Sequence, residues 1–319
     1  MPGIAILTIG FVLAPTPLFL WLRFADVPAT SFQLQDVVGV SDSGNRPDTT
    51  HVQSIDLEDV SRAMIAVTVV NEDGRLGERD RGVNWEEQWD RREDPTRFGS
   101  SIPQQYVKNL LLLRHQNPAR KVLEAAWAEL YAALVPPRRQ LELYLNSSEF
   151  GPGIWGICEA SWRLAGKHPS ELTVPEAAWL LQQLPDPKNR TYAVRDDAPI
   201  TRSRIAQLGG TTAIAQRFGI TDLAEEQADP SCATAAAGPI RLTPTVSAFT
   251  ALLAGLFAAL AGLTVGVTAW TLGWNPGRKR PRLGRPSRTP TMSNRKPADF
   301  RPVSAPETRD QVRPRGRPK

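Results

Sequence analysis

Apolar residues recur at steps of three and four through the middle of the chain, the spacing of a helix with one buried face. The pattern predicts a helix that follows Asp56, buries Met64 and Val67, and ends near Glu72. No segment between the helices alternates long enough to predict a sheet. The sequence therefore predicts a mainly α domain, which we assign to residues 55–224.

Caps and prolines mark where further helices begin and end. Ser101 precedes a helix that runs to about Arg114, and Asn117 with Pro118 begins another that ends at Pro136. The remaining predicted elements are a helix at 138–145, a loop at 146–153, and helices at 154–165, 174–184 and 201–218, of which 174–184 follows the capping-box pattern Thr173-Val174-Pro175-Glu176.

Two stretches are uncharged and long enough to cross a bilayer as helices, Ile4–Leu22 and Ala248–Leu272. We assign them as membrane spans within residues 1–23 and 245–274. The alternative for the first is a cleaved signal, which its lack of a charged n-region disfavours. The alternative for the second is a buried, alanine-rich core helix.

Charge is concentrated at the C-terminus. The segment Arg278–Lys319 has 14 Lys and Arg against 3 Asp and Glu, a net +11 in a chain whose total is +5. Because positive flanks stay cytoplasmic, both termini are predicted inside and the domain outside. Residues 275–319 are predicted to be a disordered tail on anionic lipid. The absence of interleaved aromatic residues disfavours nucleic acid as its partner.

The polar segments on either side of the domain, residues 24–54 and 225–244, are predicted to be linkers. Cys158 and Cys232 are the only cysteines. They could pair in an oxidising compartment, but Cys158 lies in an apolar helical stretch, which favours a buried free thiol.

The first candidate for chemistry is Glu72, in Asn71-Glu72-Asp73-Gly74. The negative end of its helix and the neighbouring Asp73 both disfavour an ionised carboxylate, which would raise the pKa of Glu72 toward the range of a general base. The alternative is an ordinary polar helix exit.

The second candidate is the start of the helix after Ser101. Gln104, Gln105, Lys108 and Asn109 share one flank of that helix, whose free N–H groups form an anion-binding end. A lysine one turn into the helix adds a charge suited to phosphate. The alternative is a solvated helix face.

The third candidate is Glu124, which interrupts an almost wholly apolar helix one turn after Arg120. A buried carboxylate needs a partner, and Arg120 or Lys121 can provide it. A structural ion pair is the alternative. Together with Glu72, the set predicts two carboxylates around amides and fixed cations, as a transfer reaction on a phosphate-activated sugar requires.

These residues resemble the peptidoglycan glycosyltransferases, the lysozyme-like family that polymerises lipid II, and among them the monofunctional biosynthetic transglycosylases. The resemblance covers roughly residues 56–204. Its ordered motifs are Glu72-Asp73, the stretch Gly99 to Gln105 continuing through Lys108-Asn109, Arg120-Lys121-x-x-Glu124, Leu141-Glu142-Leu143-Tyr144-Leu145-Asn146, and the turn Pro185-Asp186-Pro187 with Arg202 and Arg204 beyond it.

The resemblance implies a lysozyme-like glycosyltransferase domain with catalytic residues Glu72 and Glu124. Glu72 would deprotonate the acceptor's 4-hydroxyl, while Lys108, Arg120 and Lys121 would neutralise the departing undecaprenyl pyrophosphate. The further residues implied to bind substrate are Asp73, Ser101, Gln104, Gln105, Asn109 and Asn146. The implied partners are lipid II, the nascent glycan strand, the membrane, and a transpeptidase or other proteins of wall synthesis. A divalent cation (Mg²⁺ or Mn²⁺) that assists the reaction is left open.

The chain departs from the family pattern after Glu72-Asp73. The family phenylalanine is Leu76, the histidine is Arg79, and the glycine arrives one position late, at Gly82. The expected function is polymerisation of lipid II outside the cytoplasmic membrane. The competing hypotheses are a catalytically impaired relative that binds lipid II or partners as a scaffold and, more weakly, a glycan hydrolase.

Overall fold

The structure is a computed structural model that describes residues 10–37, 53–86, 99–114, 118–184 and 198–221, together with Cys232. Its described part is mainly helical, as the periodicity predicts. The α-helices are α1 Thr16–Trp21, α2 Ser31–Val37, α3 Arg62–Glu72, α4 Ile102–Leu111, α5 Pro118–Leu134, α6 Pro137–Ser147, α7 Ile157–Ala160, α8 Val174–Leu181, α9 Ala198–Gln207 and α10 Gly210–Arg217.

Ser101 and Thr173 begin the helices that they were predicted to begin. Ser101 and Gln104 form a reciprocal capping box at the start of α4, in which each side chain accepts from the other residue's backbone N–H. At α8 the Glu176 carboxylate accepts from the backbone N–H of Thr173 at 2.9 Å. These local bonds satisfy N–H groups that a helix end leaves without partners, so they can be read from the sequence.

Two boundaries differ from the prediction. Asp56 precedes a short 3₁₀ turn, Leu57–Asp59, and Ser61 caps α3 by accepting from Met64 N at 3.0 Å. The region expected to be a loop, 146–153, contains β1 Glu149–Gly151, which forms an antiparallel hairpin with β2 Ile154–Trp155. Strands of two and three residues, all buried, are too short to show a period of two.

Two predicted helices are divided. The 154–165 segment contains β2, the short α7 and a single π-helical turn, Ser161–Ala165. The 201–218 segment consists of α9 and α10, separated at Gly209 and Gly210, whose φ angles of 88° and 91° only glycine adopts readily.

Two apolar clusters hold the helices together. The first surrounds α3, whose residues from Met64 to Val70 are all buried against α8, α9 and α10. The second packs α1 on α4 and α5, and its rings include Phe19 and Tyr131 with centroids 5.3 Å apart. Helices α4 and α6 contribute side chains to both clusters and so connect them.

The prediction of a free thiol at Cys158 is wrong. Cys158 and Cys232 form a disulfide that closes a separation of 74 residues, and both cysteines are fully buried in the first cluster. The indole N–H of Trp162 donates to the carbonyl of Cys232 at 2.7 Å. The two cysteines pair because the chain brings Cys232 back to α7, which helix periodicity alone does not encode.

No helix within the five described ranges combines the length and the apolar content that a bilayer crossing needs. The described part of the first predicted span contains α1, which packs against α5. The remaining assignments lie outside the described residues: residues 1–9, residues 38–52 of the linker at 24–54, the Asn117 cap, the turn at 185–187, most of the linker at 225–244, the span at 245–274 and the tail at 275–319.

Candidate active site

Glu72 is the last residue of α3 and is partly buried. The side-chain amide of Gln105, on α4, donates to Glu72 Oε2 at 2.8 Å. Burial raises the pKa of Glu72, while hydrogen bonds from Gln105 and Tyr144 and the charge of Lys108 oppose the rise. Asp73 adds a smaller upward contribution. The predicted direction is therefore confirmed, with desolvation as its largest cause.

Gln105 is held in one orientation by three groups. Its Nε2 donates both to Glu72 and to the carbonyl of Ser100, the latter at 2.9 Å, and its Oε1 accepts from the hydroxyl of Tyr144 at 3.2 Å. Because both ends of the amide have partners, its N–H donor is fixed toward the carboxylate.

The predicted cations lie together on the other side of Gln105. Lys121 pairs with the fully buried Glu124 and donates to Ser100 Oγ at 2.6 Å. Burial lowers the pKa of Lys108; the charges of Glu124 and Glu72 oppose this, and those of Lys121 and Arg120 add to it. Lys108, Arg120, Lys121 and Glu124 therefore form one group, called the basic group below. Lys121 is the partner that the sequence required for Glu124.

A hollow of about 170 Å³ adjoins Glu72. Its lining includes Asn71 and Glu72 from α3 and Arg204 and Gln207 from α9. The hollow is polar where it meets the carboxylate, so it can receive a hydroxyl-bearing group. Glu72 therefore has two neighbours, the hollow and the side chains of α4.

The altered segment after Glu72 is built into the fold. The guanidinium of Arg79 binds both carboxylate oxygens of Asp73, and Leu76 is buried in the first cluster. Gly82 donates to the carboxylate of Glu129 at 3.0 Å and accepts from Ser101 Oγ at 2.5 Å. A Cβ at Gly82 would lie 1.9 Å from a backbone oxygen of α5, so glycine is required there.

Three of the residues expected to bind substrate make contacts within the protein. Ser101 and Gln104 cap α4, and both are buried. The amide of Asn146 binds the backbone of Ile55 twice, at 2.9 and 3.2 Å. Asn109 is partly buried on α4, one turn beyond Gln105. Substrate contact by these residues stays a prediction.

Sequence reasoning gave no role to Ser100, Tyr144 or Gln207. Ser100 joins Gln105 to Lys121 through its carbonyl and hydroxyl. Tyr144 was named only as part of a sequence motif, although a phenol on the apolar side of α6 indicates that its hydroxyl has a hydrogen-bond partner. Gln207 had no signal, because its place beside Glu72 depends on how α9 packs on α3.

The described residues do not favour a divalent cation held by the protein. They contain no group of three or more His, Cys, Asp or Glu side chains that could hold one. Glu124 Oε2 is buried and without a hydrogen bond among them, but Lys121 is paired with the same carboxylate and Lys108 lies close by. These positive charges oppose a second cation, and no step below depends on one.

Comparison with known proteins gives a consistent result. The family model described as Transglycosylase matches residues 41–208. The chain is 36% identical over 170 residues to the biosynthetic peptidoglycan transglycosylase of Pasteurella multocida (strain Pm70), covering 52% of this chain and 69% of that protein. It is 34% identical over 203 residues to the protein of the same name from Marinomonas sp. (strain MWYL1), covering 60% and 84%. The corresponding protein of Brucella suis biovar 1 (strain 1330) is 32% identical over 212 residues, covering 63% and 89%.

Proposed function

Because the chain belongs to the transglycosylase family, we propose that it polymerises lipid II into glycan strands and releases undecaprenyl pyrophosphate. Membership supports a glycosyltransferase of peptidoglycan synthesis in general. The observation that supports this specific reaction is the placement of Glu72, whose carboxylate adjoins a hollow of about 170 Å³ and is joined through Gln105 and Ser100 to the basic group.

Glu72 acts as the general base in this proposal. The acceptor's N-acetylglucosamine enters the hollow and presents its 4-hydroxyl to the carboxylate of Glu72. As Glu72 takes the proton, the acceptor oxygen forms a bond to the anomeric carbon of the donor, with inversion at that carbon. Burial raises the pKa of Glu72, which makes it a stronger base than an exposed glutamate.

The basic group acts on the leaving group. The bond between the anomeric carbon and the pyrophosphate oxygen breaks, and the electron pair leaves with undecaprenyl pyrophosphate. Lys108, Arg120 and Lys121 stabilise the charge that develops there. Glu124, fully buried beside Lys121, holds the lysine side chain in place and keeps the group from being purely cationic. Its role is therefore to position the cations.

The substrate also bears on location. Lipid II and the growing strand are both attached to lipid, so the enzyme must act at a membrane surface. We place the domain on the exterior side of the cytoplasmic membrane, where a transpeptidase would crosslink its product. The predicted spans and the basic tail support this location.

The test is glycan synthesis from purified lipid II by the full chain in detergent or liposomes. Glu72→Gln removes the base but keeps an oxygen that can accept from Gln105, and loss of a general base costs about 10²- to 10⁴-fold in rate. The matched control is Glu86→Gln, because Glu86 is an exposed glutamate paired with Arg75. Polymer from the wild type and the control, with a loss of that size in Glu72→Gln, is expected.

Other outcomes identify the competing functions. Lipid II binding without polymer, unchanged by Glu72→Gln, would assign the chain to the catalytically impaired scaffold that the altered motif suggests. Release of muropeptides from purified sacculi would indicate a hydrolase. A basic group beside the base argues against hydrolysis, because a hydrolase has no pyrophosphate to stabilise.

A further inference from the structure

A buried ion pair that the proposed mechanism does not use, between Asp73 and Arg79, lies next to Glu72. The guanidinium of Arg79 binds Asp73 through two nitrogens, one of them 2.5 Å from Oδ2. Its Nε donates to the carbonyl of Arg81 at 2.9 Å, which fixes the plane of the guanidinium. The Arg79 and Asp73 side chains are only 9% and 1% exposed, so solvent screens their charges little.

Asp73 also joins two helix ends. Its backbone N–H closes the last turn of α3 on Val69, and its Oδ2 accepts from the first backbone N–H of α4, that of Ile102, at 3.1 Å. Glu72 is the neighbouring residue on α3, and Gln105 lies one turn into α4. The position of Asp73 therefore sets how Glu72 and Gln105 face each other.

The charge of Asp73 also acts on Glu72. A second carboxylate beside Glu72 disfavours ionisation of the base and raises its pKa. The bidentate guanidinium places a full positive charge against that second carboxylate. Its loss would leave Asp73 as an uncompensated, buried negative charge next to the base.

We propose that Arg79 is a positioning residue of the active site, which holds Asp73 between α3 and α4 and neutralises its charge beside Glu72. The proposal rests on the proposed function. It assigns a role to a residue that stands where the resemblance leads one to expect histidine. Arg79 does not contact the reacting atoms and acts only through Asp73.

Other charged and titratable groups face Glu72 from the helices packed around it. Lys108 faces it from α4, Tyr144 from α6 and Arg204 from α9. Arg217, from α10, donates to the carbonyl of Gly74 at 3.0 Å. None of these groups is changed by a substitution at Arg79, so a shift in the titration of the base would report on Asp73.

The experiment measures kcat for lipid II polymerisation against pH in the full chain. Arg79→Met should move the acid limb of the profile upward by about one pH unit, because the charge of Asp73 is no longer compensated. Asp73→Asn should move the limb downward, since the neighbouring negative charge is gone. The double variant R79M/D73N carries neither charge, and its limb should return to within about 0.3 pH unit of the wild type.

Two further variants separate charge from geometry. Arg79→Lys keeps the charge and loses the second hydrogen bond, so its acid limb should stay near that of the wild type. Arg75→Met is the matched control, because it removes an arginine of the same segment that pairs with the exposed Glu86. The melting temperature of every variant is measured, so that kcat can be corrected for the fraction of protein that is folded.

The outcomes are distinct. Opposite shifts in the two single variants and recovery in the double variant support the proposal. An acid limb that stays in place in Arg79→Met, or one that shifts equally in Arg79→Lys, overturns it. If Arg79→Met does not fold, the downward shift in Asp73→Asn decides, and an unshifted limb there also overturns the proposal. A wild type without polymerase activity would instead refute the proposed function.

Discussion

Replacing Tyr144 by phenylalanine should change how the reaction rate depends on pH. The Tyr144 hydroxyl is hydrogen-bonded to Glu72 and lies 3.2 Å from Gln105 Oε1, so it stabilises the ionised base both directly and through the amide. The substitution removes only that hydroxyl from a buried ring. Packing is kept, because phenylalanine has nearly the same shape.

The magnitude follows from the value of one hydrogen bond. A hydrogen bond to a charged group contributes about 1.5 to 3 kcal/mol, and the Tyr144 hydroxyl shares its single proton between two acceptors. The lower end of that range corresponds to about one pKa unit. Tyr144→Phe should therefore raise the pKa of Glu72 by about one unit. At pH values below the pKa of Glu72 in both the wild type and the variant, kcat should fall about tenfold, and well above both values it should remain unchanged.

The assay is the initial rate of lipid II consumption at saturating substrate, from about pH 4 to about pH 9, a range that begins below the ordinary pKa of a glutamic acid. Tyr131→Phe is the matched control. Tyr131 is equally buried, and its hydroxyl has no hydrogen-bond partner among the described residues. A uniform loss of rate at every pH in Tyr144→Phe, with the acid limb unmoved, would refute the reasoning, since it would show that the hydroxyl does not act on the base.

Three further predictions concern stability. Because burial raises the pKa of Glu72, the folded state favours its neutral form. The contribution of Glu72 to stability is therefore fully present below its ordinary pKa of 4.5 and is lost as pH rises through the raised pKa. Glu72→Gln should raise the melting temperature at about pH 8 and not at about pH 4. Replacing Cys158 and Cys232 by alanine should lower the free energy of unfolding by about 4 kcal/mol in denaturant titrations, because the disulfide closes a 74-residue separation, and an equal result for the reduced wild type would support this cause. Gly82→Ala should cost about 3 kcal/mol or more, because its Cβ would meet the backbone of α5, whereas Gly74→Ala, which has open space, should cost much less.

Local rules predicted most of the helices but not every place where one stops. Ser101 and Thr173 begin α4 and α8 because the cap bonds lie within four residues. The start of α3 was placed too early, because Asp56 and Ser61 are both acceptable caps and only packing selects the second. The Gly209–Gly210 pair was a visible signal for the break between α9 and α10, and helix periodicity outweighed it.

The candidate site divides in the same way. The pairing of Glu124 with Lys121 follows from their spacing on one helix and was expected. The contact between Glu72 and Gln105 joins residues 33 apart, and the Tyr144–Gln105 contact joins residues 39 apart. Such contacts exist only after α3, α4 and α6 have packed, so the motif order could indicate a shared site without indicating which atoms meet.

The altered segment after Glu72-Asp73 therefore affects the function in a different way from what its sequence alone suggests. A base at the end of α3 needs a fixed hydrogen-bond donor, and Gln105 supplies one at 2.8 Å. It also needs the charge of Asp73 to be compensated, and an arginine does this at any pH, whereas a histidine does so only while protonated. If Arg79 has taken that role, the acid limb of this enzyme should report the titration of Glu72 alone. Arg79→His should then make that limb shallower, because the compensating charge is lost as the histidine deprotonates and the pKa of Glu72 rises with it. A limb of unchanged slope would argue against compensation as the reason for arginine.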